Sequence, residues 1–163
     1  PDFEAIARIA ADTTQEARVR ALSFNILRKA GKPVPAKVLL ATIIEVRLPD
    51  GLDTLAVFAD GGARYINYSG KLVIVEGTPN PFAKEIKDVL ATSAPIVAAI
   101  GPWDKARLAA PEPGNVRMSF IVSDGLYFGE GPMDALQKDA MASPLISAAT
   151  HLLMKLTKKA IRE

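Results

Sequence analysis

Five carboxylates lie where active sites often form, at the ends of strand-like runs or in the loops between them. They are Asp60, Glu76, Asp104, Asp124 and Glu130. Two carboxyl groups that converge on a substrate can serve as general acid and general base. A catalytic protein of this kind, a small hydrolase or isomerase, should hold at least two of them in a concave pocket with Arg64 or Tyr127.

Turn chemistry offers a structural explanation for some of these carboxylates. Asp50, Asp60 and Asp124 each precede a glycine, and Asp-Gly pairs are frequent in tight turns because Asp bonds to nearby backbone and Gly tolerates positive φ. A structural role therefore competes with a catalytic one at these positions.

Other reactive groups are scarce. The chain has one histidine, His151, and no cysteine. This composition excludes a Cys-His catalytic pair, cysteine-ligated zinc and a multi-histidine metal site within one subunit. We expect His151 to be a solvated or boundary residue of the last helix. No metal and no cofactor is predicted.

The glycines do not form a nucleotide-binding motif. Gly70-Lys71 resembles the end of a phosphate loop, but Leu72 stands where Ser or Thr should contact magnesium, and both flanks are strand-like. Gly125, Gly129 and Gly131 lack the surrounding βαβ unit of a dinucleotide fold.

Aromatic and basic residues are the candidates for binding. Alternation along a strand places Tyr65 and Asn67 on one face and Arg64 and Tyr68 on the other. Tyr, Trp and Arg are enriched in recognition surfaces. The alternative is that the tyrosines pair across strands and that Trp103 only fixes its loop to the core. The predicted binding residues are Arg64, Tyr65, Asn67, Tyr68, Trp103 and Tyr127.

The first half of the chain predicts two helices and a four-strand meander. Helices are expected at 2–12 and 15–30, the second capped by Thr13 or Thr14. Glycine-containing turns separate strands at 37–48, 53–59, 63–69 and 71–76. The third should be half-exposed. The fourth is apolar on both alternating faces from Leu72 to Val75, which is typical of a central strand covered on both sides.

The second half predicts a helix, a hairpin and a long final helix. A helix at 81–92 should end or kink at Pro95, with a brief return to helix at 96–100, and 101–115 should be irregular. A hairpin with a type I′ turn at Asp124-Gly125 follows. A short helix near 134–141 precedes a final helix at about 144–161, with Ser143-Pro144 at its start.

These elements predict a single α+β domain. Its sheet should be mainly antiparallel with about six strands, a four-strand meander plus a hairpin, packed against helices. No residue pattern is diagnostic of a known family.

Charge and hydropathy limit the environment and the partners. The 163 residues carry 20 basic and 18 acidic side chains, a net charge of +2, so nucleic-acid binding is not predicted. The basic cluster Lys155, Lys158, Lys159 and Arg162 suits the end of a helix, and contact with an anionic surface is the weaker alternative. No segment of the sequence resembles a signal peptide or a membrane-spanning run, and we expect a cytoplasmic protein.

The leading functional hypothesis is a non-catalytic module that binds a protein partner or a small ligand, as a homodimer. Scarce reactive residues and the aromatic and basic residues on strands and loops motivate it. Apolar abundance and expected sheet edges favour self-association. The competing hypothesis is the small enzyme that acts through carboxylates, Tyr and Arg.

Overall fold

Six strands form one antiparallel sheet, and five helices accompany it. The computed structural model describes residues 1–162, with side chains up to Lys159. The strands are β1 (Leu39–Leu48), β2 (Gly51–Phe58), β3 (Ala63–Ile66), β4 (Leu72–Val75), β5 (Asn115–Val122) and β6 (Gly125–Pro132). The helices are α1 (Phe3–Ala11), α2 (Ala17–Lys29), α3 (Ala83–Ala99), α4 (Met133–Leu136) and α5 (Ala142–Arg162). None of them, within the part described, is long and apolar enough to cross a membrane.

The strand order is β4-β3-β2-β1-β5-β6, and every pairing is antiparallel. Consecutive strands of the meander are neighbours, and the hairpin β5–β6 joins the sheet beside β1. The prediction of an α+β fold with a meander, a hairpin and about six antiparallel strands is confirmed.

One face of the sheet packs against α3 and α5. Its core includes Ile44, Val57 and Phe120 from the sheet and Leu145 and Leu152 from α5, each at most 5% exposed. Burial of large aliphatic and aromatic side chains is the main stabilising contribution to such a core. We call this the helix face.

The opposite face of the sheet is covered unevenly. At one end, Ala10, Phe24 and Leu27 of α1 and α2 pack around Leu40. Residues 101–114, which we call the strap, cross β5 and β6, where the Trp103 amide donates a hydrogen bond to the Leu126 carbonyl. The outward side chains of β3 and β4 stay at least partly exposed.

The prediction that the fourth strand is central is wrong. β4 is an edge strand, and only its inward side chains, Val73 and Val75, approach the core. Leu72 and Ile74 point outward and are 52% and 46% exposed. An apolar run reveals that both faces are hydrophobic, but whether the outer face is covered depends on elements distant in sequence.

Two predicted helix boundaries are also wrong. α3 runs through Pro95 to Ala99, past the expected end at 92 and into the stretch 96–100 where a brief return to helix was expected, because Ile96 and Val97 are buried in the core and hold the last turn in place. α5 begins at Ala142 instead of Ser143-Pro144. The Asp139 carboxylate accepts hydrogen bonds from the amides of Met141 and Ala142 and so caps this helix.

Two local predictions of turn and cap geometry are wrong as well. Neither Ser123 nor Asp124 has the positive φ of a type I′ turn, and the unusual φ of +151° lies at Gly125. Glu16, instead of Thr13 or Thr14, occupies the cap position of α2, without a side-chain bond to the helix. In both places contacts with distant parts of the chain replace the expected local geometry. At the β5–β6 turn, the Ser123 hydroxyl bonds to the backbone of residues 35 and 38. At the start of α2, the Asp60 carboxylate accepts a hydrogen bond from the first helical amide.

Candidate functional site

Arg64 lies on the outer side of the sheet among exposed aliphatic side chains. It is opposite Ile74 in the β3–β4 ladder, where Ile66 is opposite Leu72. Ile66, Leu72 and Ile74 are 44%, 52% and 46% exposed. Within residues 1–162, no carboxylate forms an ion pair with Arg64. We call these four side chains the open face. It combines a cation with apolar surface that the described residues leave partly uncovered.

In the neighbouring half of the same sheet face, the charged side chains are covered by the strap and have partners. Glu45 of β1 is only 4% exposed, and Arg107 of the strap forms an ion pair with it. Arg117 of β5 donates to the strap carbonyls of Leu108 and Ala109 and pairs with Glu130 at 2.7 Å. The strap therefore satisfies the charges of the half it covers, as buried charges require.

Trp103 anchors the strap to the sheet. Its ring meets Phe128 edge-on with centroids 4.9 Å apart, and its Nε1 donates to the Ala106 carbonyl at 3.0 Å. Lys105 lies over the indole, 5.5 Å from its centroid. These contacts favour the structural alternative at this predicted binding residue.

Tyr65 and Asn67 both stabilise the β3–β4 hairpin. The Tyr65 side chain is 8% exposed, and its hydroxyl donates to Asp53 Oδ2 at 2.9 Å. Burial and, secondarily, this bond raise the pKa of Tyr65 to about 12. Asn67 Oδ1 accepts hydrogen bonds from the amides of Ser69 and Lys71. The Tyr65 side chain is thus bonded to β2, and the Asn67 side chain, which stays partly exposed, is bonded to the turn of the hairpin.

Tyr68 lies in the turn between β3 and β4, two residues after Ile66, and is 54% exposed. Its amide donates to Asp53 Oδ1 at 2.8 Å, which fixes its backbone. Of the residues from Arg64 to Tyr68 that were predicted to bind, Arg64 and Tyr68 are the two whose side chains form no described hydrogen bond.

Tyr127 is fully buried. Its hydroxyl lies 2.9 Å from both oxygens of Asp124, and Lys37 lies over its ring at 5.8 Å. Burial and then the carboxylate raise the pKa of Tyr127 to about 12. The Lys37 ammonium also donates to three carbonyls at the end of α3. Lys37 therefore links the Tyr127 ring to the neighbouring helix end, and the Tyr127 hydroxyl does not reach the surface.

A cleft adjoins the open face at Arg64. Its volume is about 490 Å³, and the α1–α2 connection, the β2–β3 hairpin and the segment after β4 enclose it. The charged and amide side chains that line it include Glu16, Arg18, Asp60, Arg64, Glu76 and Asn80. Two of the five predicted carboxylates, Asp60 and Glu76, thus share one cavity with Arg64.

Several of these polar groups build the cleft and are already engaged. Asp60 accepts hydrogen bonds from the amides of Ala17 and Gly62, at 2.8 and 2.9 Å. Asn80 donates to the Gly61 carbonyl at 2.8 Å. Arg18 pairs with Glu16 at 2.9 Å. Arg64 and Glu76 are the charged groups of the cleft that carry no described hydrogen bond.

The other three predicted carboxylates lie elsewhere. Asp104 is exposed on the strap, Asp124 holds Tyr127, and Glu130 pairs with Arg117. Within the described chain, no group of three or more His, Asp or Glu side chains is placed to hold a metal ion. His151 is exposed on α5, as expected.

The basic cluster at the end of α5 is partly engaged with the fold. Lys155 pairs with Glu85 of α3 at 2.6 Å, and Lys159 lies over Phe82 at 5.4 Å. The side chain of Arg162 lies outside the described residues. The cluster thus contributes to packing between α3 and α5.

Sequence reasoning identified Arg64 but missed the aliphatic surface around it. Leu72 and Ile74 were assigned to the core, and Arg18 was not assigned to a site. A usable signal was present, because Lys71 and Glu76 flank a run of only four apolar residues. A short strand with charged flanks is typical of the edge of a sheet.

Fold and site together define an α+β protein with one half of its outer sheet face bare and a polar cleft beside it. Comparison with models of protein families, with curated proteins and with solved structures found no match for this chain.

Proposed function

We propose that this protein is a non-catalytic module whose open face binds an extended, apolar segment of a partner protein that carries a carboxylate. The observation that carries the proposal is Arg64, a half-buried cation with no described ionic partner, framed by Ile66, Leu72 and Ile74. Aliphatic surface supplies affinity when it is removed from water. A guanidinium at its centre selects a carboxylate with directional hydrogen bonds.

The strap illustrates the same binding mode with the charges reversed. It is an irregular segment that lies on the sheet and pairs its Arg107 with the sheet carboxylate Glu45. On the open face the sheet provides the cation, so the complementary segment provides the anion. A partner of this chemistry would complete the cover of the outer sheet face.

The proposal includes a cytoplasmic location and a homodimeric state. The absence of cysteine is compatible with a reducing compartment. An uncovered edge strand favours self-association, since unpaired backbone groups at an edge form hydrogen bonds with another strand.

Peptide titration followed by NMR tests the binding proposal. The probes are a capped hexapeptide of alternating valine and glutamate and the same peptide with lysine in place of glutamate. We expect the acidic peptide to shift the amide resonances of residues 63–66 and 72–75, and the basic peptide to leave them unchanged. Arg64→Glu should reverse this preference. Arg8→Glu, an equal change of charge at an exposed position of α1, should preserve it.

The outcomes separate clearly. Equal shifts by both peptides, or shifts by neither, would contradict the proposal. Shifts that persist in the Arg64→Glu variant would show that Arg64 does not select the partner.

The enzyme hypothesis retains one supporting observation, the shared cavity of Asp60, Glu76 and Arg64. Because both Asp60 oxygens accept backbone hydrogen bonds, Glu76 would be the reacting carboxylate. A panel of chromogenic esters, phosphates and glycosides tests it. Hydrolysis that is lost in Glu76→Gln and kept in Glu112→Gln, an exposed strap residue, would support a hydrolase. No turnover of any member would contradict it.

A further inference from the structure

The outer edge of β4 has backbone groups that no strand satisfies. The Asn67 amide donates to the Lys71 carbonyl, so hydrogen-bonded pairs alternate from there along the β3–β4 ladder. Val73 and Val75 consequently direct their amides and carbonyls towards β3. Leu72 and Ile74 direct theirs away from the sheet, on the side where the strand order ends.

The opposite edge of the sheet is protected. β6 contains Gly129 and Gly131, ends at Pro132, and receives the Trp103 amide at the Leu126 carbonyl. Glycine, proline and a covering loop are common devices that prevent pairing at an edge. β4 contains no glycine or proline and no described loop pairs with it, and its sequence from Leu72 to Val75 is rich in β-branched residues suited to strand pairing.

We propose that β4 pairs in antiparallel fashion with β4 of a second copy of this chain, with Val73 on the two-fold axis. The two sheets then continue as one sheet of twelve strands. This inference rests on the homodimer part of the proposed function and adds the interface and its register.

The register follows from symmetry and from the free backbone groups. A two-fold axis between two antiparallel copies of one strand runs perpendicular to the sheet and passes between a residue and the same residue of the second copy. The sequence numbers of any two residues that face each other therefore differ by an even number. With Val73 opposite itself, Leu72 lies opposite Ile74 of the second copy. These are the residues whose amides and carbonyls point outward, and they form the hydrogen-bonded pairs. Their side chains also make two aliphatic cross-strand contacts.

Charge favours the antiparallel orientation. Lys71 precedes β4 and Glu76 follows it, and both are exposed. Antiparallel copies place the Lys71 end of each strand beside the Glu76 end of the other. Parallel copies would place like charges together, which destabilises cross-strand neighbours.

The same axis places both open faces on one side of the extended sheet. Leu72 and Ile74 of each copy meet at the centre, and one Arg64 flanks them on each side. A dimer would thus offer a partner an apolar strip with a cation at either end.

Cross-linking through a single introduced cysteine tests the register, since the natural chain has none. Directly opposite residues of a non-hydrogen-bonded pair have Cβ atoms about 4.5–5.5 Å apart, close to disulfide geometry. We expect Val73→Cys to form a covalent dimer under mild oxidation at least about tenfold faster than Leu22→Cys, an exposed position of α2 that reports random collision.

Sedimentation velocity supplies the second measurement. The unmodified protein should sediment as a dimer, and Ile74→Pro should sediment as a monomer, because proline removes an outward amide without breaking a bond to β3. Circular dichroism checks that each variant folds. A dimer in which the Val73→Cys variant cross-links no faster than the Leu22→Cys variant overturns this interface but not the homodimer. A monomer at all concentrations overturns both, while the peptide titration still decides partner binding.

Discussion

The Tyr65 hydroxyl donates a hydrogen bond to one oxygen of Asp53 at 2.9 Å, while the other oxygen accepts the Tyr68 amide at 2.8 Å. The Asp53 carboxylate of β2 thus holds both β3 and the turn that leads from β3 into β4. The position of the open face depends on this contact, although Asp53 and Tyr65 do not belong to that face.

Tyr65→Phe should therefore destabilise the protein by about 1 kcal/mol, the usual net contribution of one hydrogen bond. Chemical denaturation measures the change as a lower midpoint with an unchanged slope. Tyr68→Phe is the matched control, because the described contact of Tyr68 with Asp53 uses the backbone and should survive. Equal losses in the two variants would contradict the role assigned to the Tyr65 hydroxyl.

The two buried tyrosines also predict a loss of stability in alkali. The pKa values of Tyr65 and Tyr127 are raised to about 12 in the folded protein, against about 10 in an unfolded chain. Between these values the unfolded state releases protons that the folded state retains, so the free energy of unfolding falls as pH rises from about 10 to about 12. The decline should be clearly shallower in Tyr65→Phe/Tyr127→Phe. Denaturant titrations at several alkaline pH values measure the slope, and an unchanged slope would contradict this origin.

The elements were predictable because local patterns specify them. Alternating apolar residues and glycine-containing turns are confined to short stretches, so the meander and the hairpin could be recognised. The strand order could not be obtained in this way. It depends on the pairing of β1 with β5, which is far later in the chain, and this pairing leaves β4 at the edge.

The candidate site was predictable only in part. Alternation correctly separated Arg64 from Tyr65, but it does not reveal which of the two faces is inward. Tyr65 and Tyr127 were predicted to bind because tyrosine is enriched in recognition surfaces, whereas the fold buries both. The cleft joins three distant segments, around residues 14–18, 58–64 and 75–80, and no local signal connects them.

Asp60 illustrates how an apparent turn residue can act over a long distance. Its Oδ2 accepts the Ala17 amide at 2.8 Å and so caps α2 from 43 residues away, while its Oδ1 closes its own turn at Gly62. Asp60→Ala should cost about 1–2 kcal/mol, the range for loss of a helix cap. Thermal denaturation and hydrogen exchange at the start of α2 measure the effect.

Asp50→Ala is the control for this prediction. Asp50 also precedes a glycine in a hairpin turn and is exposed, but no hydrogen bond of its side chain is described within residues 1–162. A destabilisation as large as that of Asp60→Ala would indicate that turn propensity, not capping of α2, is responsible.

The contact between Lys155 and Glu85 predicts a pH dependence in acid. The hydrogen bond from Lys155 is the largest cause that lowers the pKa of Glu85. This hydrogen bond stabilises the folded protein fully when the pH is above the pKa of Glu85 in the unfolded chain, about 4.3. The stabilisation is lost as the pH falls through the lower pKa that Glu85 has in the folded protein. Lys155→Met should destabilise the protein by about 1–3 kcal/mol at neutral pH, since it leaves a buried carboxylate unpaired. In acid, below the folded pKa of Glu85, the difference should be smaller. Lys158→Met, at an exposed position nearby, should show neither effect.

Gly125 is required by the close approach of the strap to the β5–β6 turn. A Cβ at this position would lie 2.9 Å from Pro102 Cβ, and its φ of +151° is one that side chains rarely adopt. Gly125→Ala should therefore destabilise the protein by about 1–3 kcal/mol and displace the start of the strap. Trp103 is the only tryptophan, and its fluorescence should shift to longer wavelength as its contacts with Leu126 and Phe128 loosen.

Gly101→Ala tests the same segment without the clash, because nothing lies within 4 Å of its added Cβ. It should change the free energy of unfolding by less than about 0.5 kcal/mol. If both variants left the fluorescence of Trp103 unchanged, the strap would not depend on close packing at Gly125.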